Sequence, residues 1–85
     1  MKREFKSAFT KLAKLGCPVY EHTDDNGRFS ISAEDSESYK WCDYYEGYRM
    51  DGWDFGINPK ITEILDQHDL WAEWQNPGRL VIFKD

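Results

Sequence analysis

VYEHTDDNGRFSISA, residues 19–33, decides what kind of fold this chain can make. Asn26-Gly27 is a dipeptide that readily adopts positive φ at both corners of a type I′ turn, and apolar and polar residues alternate on either side of it. A two-residue loop then sets the register: Asp25 opposite Arg28, Asp24 opposite Phe29, His22 opposite Ile31 and Tyr20 opposite Ala33. Tyr20, His22, Phe29 and Ile31 share an inner face in that register, and Val19, Glu21, Thr23, Ser30 and Ser32 face water. A hairpin with one apolar face needs elements to cover it.

The flanking sequence supplies them. Upstream, Phe5, Ala8, Phe9, Leu12 and Ala13 recur at helical spacing, Gly16 offers a left-handed stop and Pro18 ends the run. Downstream, Asn58-Pro59 opens a second helix, with Asn58 accepting an orphan N–H and Pro59 having none to waste. Ile61, Ile64, Leu65 and His68 mark its inner side. Residues 70–75 and 79–84 form a last hairpin around Asn76-Pro77-Gly78, with Ala72, Trp74, Val81 and Phe83 assigned to one face. Residues 39–57 alternate loosely and read as two further strands with an irregular reversal. The expected fold is α+β: one small acidic domain over residues 1–85, with an antiparallel sheet of about 4–6 strands and two helices on one face, in the order α-β-β-(β-β)-α-β-β.

The chain has 85 residues and two cysteines, Cys17 and Cys42, without metal-binding or redox spacing. It has no apolar run of about 18 residues and no leader-like start, so the expected location is the cytoplasm, with reduced thiols and no membrane association. The net charge of −5 is unevenly spread. Residues 1–15 carry five basic residues against Glu4, whereas residues 20–54 carry ten acidic residues against Arg28, Lys40 and Arg49. Such a surface repels phosphate backbones, so direct nucleic-acid binding is not expected and a basic protein partner is. The same charge can stand in for phosphates, which would make the chain an inhibitor occupying a nucleic-acid-binding groove. Nothing in the residues sets an oligomeric state.

Chemistry-bearing motifs are sparse. The chain lacks a GxSxG elbow, an HExxH pair and a GxxxxGK loop. His22, Asp24 and Asp25 are weak candidate metal ligands, but the segment departs from an EF-hand at both ends. A compact enzyme or divalent-metal protein would have to use His22 or His68 with nearby carboxylates. No cofactor is implied, and the chain is read as non-enzymatic.

One stretch remains, YKWCDYYEGYRMDGWDFG at 39–56, which holds seven of the fourteen aromatic residues. A chain this short needs large side chains for its core, and Trp41, Trp53 and Phe55 are assigned there. Asp43, Tyr44, Tyr45, Glu46, Tyr48 and Asp51 are the candidate interaction residues, with tyrosines offering rigid contact area and carboxylates pairing with lysine or arginine.

Overall fold

The computed structural model describes residues 1–47 and 51–84. Helix α1 (Arg3–Lys14) buries Phe5, Ala8 and Leu12. Its basic residues stay in water, as does Ala13. Gly16 closes it at φ 92°, its N–H reaching the Ala13 carbonyl at 3.0 Å. Helix α2 (Pro59–Gln67) begins as its cap dictates, with the Asn58 side chain accepting from Lys60 N–H at 2.9 Å. It buries Ile61 and Leu65.

The strands are β1 (Val19–Tyr20), β2 (Ser30–Ser32), β3 (Leu70–Asn76) and β4 (Arg79–Lys84). They form one antiparallel sheet in the order β1-β2-β4-β3, two hairpins joined through β2 and β4. Phe29, Ile31, Leu70, Leu80 and Ile82 meet the apolar stripes of both helices in a single core. Phe29 is wholly buried, with the Phe5 and Phe9 rings edge-on to it at 6.4 and 5.3 Å.

The α+β class and the helical cover are as the sequence indicates. The first hairpin's register is not. Val19 pairs with Ile31 and Tyr20 with Ser30, so Tyr20 lies three positions from the expected partner, Ala33. An odd shift exchanges faces: Val19 packs on the core, and Tyr20 sits with Ser30 on the other side of the sheet. The local turn does form, with Asn26 at φ 55°, Gly27 at φ 87° and Arg28 N–H bonded to the Asp25 carbonyl at 3.1 Å. The strands, however, do not run up to it. Residues Thr23–Asp25 coil into a 3₁₀ turn, because the Asp25 side chain is drawn inward.

Asp25 is 1% exposed. Its carboxylate accepts from His22 N–H at 3.0 Å and from the Ser30 hydroxyl at 2.8 Å, and it pairs with the Arg79 guanidinium. Arg79 Nε also donates to Ser30 Oγ at 3.1 Å. Burial pushes the Asp25 carboxyl up, but the hydrogen bonds from His22, Ser30 and Arg79 and the Arg79 charge outweigh it and hold the group below the ordinary carboxylate range. Asp25 is thus a structural anion rather than an exposed metal ligand.

Two further expectations are corrected. Across the last hairpin Ala72 pairs with Ile82, Trp74 with Leu80, Glu73 with Val81 and Trp71 with Phe83. Directly opposed residues share a face, so Ala72 and Trp74 join Leu80 and Ile82 toward the helices, while Val81 and Phe83 face away. Among the described residues, 39–57 holds no strand; it carries a 3₁₀ turn at Ser38–Lys40 and isolated bridges from Cys42 and Asp54 to Ile57.

Candidate interaction surface

Two bridges and a close backbone crossing shape the 39–57 segment. Asp43 N–H donates to the Gly56 carbonyl at 2.8 Å, and Gly47 N–H donates to the Asp43 carbonyl at 3.0 Å. Gly47 and Gly56 approach so closely that a methyl group on either would overlap backbone of the crossing strand of chain: Gly56 for the first, the Asp43 carbonyl for the second. Gly56 is also at φ 77°. Replacing Gly56 with alanine is therefore expected to cost about 2 to 4 kcal/mol from the left-handed backbone and the overlap together. Urea denaturation measures this; a cost near zero would mean the crossing is not as tight as described.

The crossing delivers Phe55 to the surface. Asp54 to Ile57 is a tight turn closed by Ile57 N–H on the Asp54 carbonyl at 2.9 Å, with Phe55 at φ 54° and Gly56 at φ 77° as its corners. Both corners at positive φ is the type I′ pattern. A turn breaks strand alternation, so Phe55, expected in the core, is 88% exposed. Trp41 packs against the core and Trp53 is half-buried. Ile57 and Cys42 make the fully buried contributions of this region.

An aromatic group adjoins the Phe55 backbone through Trp74. The Trp74 indole N–H donates to the Phe55 carbonyl at 2.7 Å and so ties the turn to β3. The Tyr44 ring stands edge-on to Trp74 and to Tyr45, each at 5.4 Å. Tyr44 is 49% exposed and Tyr45 69%. Asp43 Oδ1 accepts from Tyr45 N–H at 3.0 Å and Glu46 N–H at 3.1 Å, so this carboxylate orients the turn that carries both tyrosines. Glu46, Asp51 and Asp54 are exposed nearby in the chain. Tyr48 lies outside the described residues. Phe55 and Trp74 were missed from the sequence; the one available signal was Asp54-Phe55-Gly56, a bulky residue between two turn formers.

The remaining candidates are dispersed. His22 Nδ1 accepts from Asp24 N–H at 3.0 Å, capping the 3₁₀ turn. His68 Nε2 is 3.0 Å from Lys11 Nζ, where α2 meets α1. Among the described residues no hydrogen bond or ion pair joins the two histidines, and no cluster of three or more His, Cys, Asp or Glu side chains could hold a metal ion. Cys17 and Cys42 are buried free thiols. Burial, aided by the Asp43 charge, pushes Cys42 up to about 12, and burial raises Cys17 as well. Neither is an activated nucleophile. Among the described residues no helix is long and apolar enough to cross a membrane. Comparison with protein-family models, curated proteins and solved structures finds no match for the chain.

Proposed function

We propose that this domain is a non-enzymatic interaction or regulatory module that presents an acidic, aromatic surface to a basic protein partner. The observation that carries the reading is Phe55: a phenylalanine 88% exposed in a left-handed conformation and held there by the Trp74 indole. Left-handed backbone at a bulky residue is unfavourable, and a large ring in water adds nothing to the core. Strain of this kind concentrates at functional sites. Tyr44 and Tyr45 extend the aromatic area, and Asp43, Glu46, Asp51 and Asp54 supply charge that favours lysine and arginine.

Affinity capture from a host lysate at low and high salt tests the reading with three forms of the chain. The first is native, the second carries Tyr45→Ala and Phe55→Ala, and the third Asp43→Asn, Glu46→Gln and Asp51→Asn. Asparagine at 43 keeps an oxygen for the Tyr45 and Glu46 N–H groups, so the third form alters charge and spares the turn. Basic proteins recovered by the native chain at low salt are expected to fall about tenfold with either variant. Equal recovery by all three forms, each shown folded by circular dichroism, would overturn the proposal.

A further inference from the structure

Strand β3 is an edge of the sheet, bonded to β4 on one side only among the described residues. Its seven residues make it much longer than β1, the two-residue edge opposite. Edge strands are commonly blunted by lysine or proline, and β3, Leu-Trp-Ala-Glu-Trp-Gln-Asn, has neither. The irregularity between Trp74 and Asn76 disturbs its end alone.

A groove of about 300 Å³ lies beside this strand, lined by Asp54, Phe55, Thr62, Asp66, Trp71 and Ala72, among others. Consecutive strand residues point to opposite faces, so a cavity touching both Trp71 and Ala72 lies at the strand's edge and not over one face. Since β4 fills the other edge, the groove flanks the free one. Two aromatic residues line it, Phe55 and Trp71, the latter with its ring stacked on Phe83 at 4.9 Å, together with two acidic ones. Among the described residues neither Asp54 nor Asp66 is in a salt bridge. The volume suits one side chain better than a cofactor.

Resting on the interaction reading above, we infer that an extended basic segment of the partner adds to β3 as a further strand and seats an arginine side chain in this groove. The free N–H and C=O groups of the edge supply main-chain hydrogen bonds, and the groove supplies specificity. A guanidinium stacks on the Phe55 and Trp71 rings and faces the Asp54 and Asp66 carboxylates. A second copy of this chain fits less well, because antiparallel pairing about the centre of β3 sets Glu73 against Glu73.

Selection of a random displayed peptide library on the full chain tests this. The expected winners contain arginine and alternate with β-branched residues. Binding of the best synthetic peptide is expected to weaken at least about tenfold against Asp54→Asn, Asp66→Asn protein. N-methylation of the peptide at alternate residues is expected to abolish binding, and at the intervening ones to leave it, because only every second N–H points to the strand. Basic peptides indifferent to both changes and lost on Tyr45→Ala would overturn strand addition while leaving the interaction proposal standing. A selection without basic peptides would overturn both.

Discussion

Arg79→Met is expected to destabilise the protein by about 3 to 5 kcal/mol at neutral pH, since it strands a buried carboxylate. Asp25 is 1% exposed, and the Arg79 guanidinium is its one cationic partner among the described residues. The methionine keeps much of the apolar stem, so the loss reads out charge and hydrogen bonds rather than packing. For a domain of this size, whose whole stability is on the order of 4 to 13 kcal/mol, the effect is large. The double variant Asp25→Asn, Arg79→Met should recover most of it, because asparagine still accepts from His22 and Ser30 and leaves no charge to compensate.

The pH dependence is stronger in the native protein than in the variant. In the native chain the Asp25 carboxyl sits below its ordinary value, so its contribution is complete above the unfolded-state value of about 3.9 and is lost as pH falls through the folded one. In Arg79→Met the lowering by Arg79 is gone while the hydrogen bonds from His22 and Ser30 remain, so the carboxyl rises from its native position and less stability is lost as it protonates in acid. The gap between native and variant is therefore widest near neutrality and narrows in acid, as pH falls through the variant's carboxyl value toward the lower native one. Urea denaturation across that range checks it. A gap independent of pH would mean the pair is not the source.

Phe29→Ala is the other large effect, about 3 to 5 kcal/mol, with Tm falling by more than about 10 °C. Phe29 is completely buried, and truncation leaves Phe5 and Phe9 facing a void at the junction of α1 with the sheet. Phe29→Leu, which fills most of the space, should cost about 1.5 kcal/mol or less. Thermal unfolding distinguishes them; equal and small losses would mean that α1 does not depend on this ring.

Much of the fold was legible because it is written locally. Periodicity located both helices, Gly16 and the Asn58-Pro59 pair marked ends that the structure places at or beside the same residues, and Asn26-Gly27 forms the turn expected of it. Tyr44, Tyr45, Glu46 and Asp51 were singled out and lie exposed, whereas Asp43 is half-buried and works in its own turn. Phe55 was assigned to the core because alternation does not say where a tight turn interrupts it, whereas Trp74 keeps its inner face and its bond to the Phe55 carbonyl is a tertiary contact that no local pattern encodes.

Composition and short-range pattern thus determined the α+β class, the two amphipathic helices, the turn residues and the acidic cast of the surface, all set by backbone preference and burial within a few neighbouring residues. Tertiary structure alone decided the register of the first hairpin, the faces of the last, the exposure of Phe55 and the free edge beside it. Asp25 shows the reason. A carboxylate in an Asp-Asn-Gly turn reads as solvated, yet Arg79, 54 positions away, pairs with it out of water, a contact no local pattern encodes.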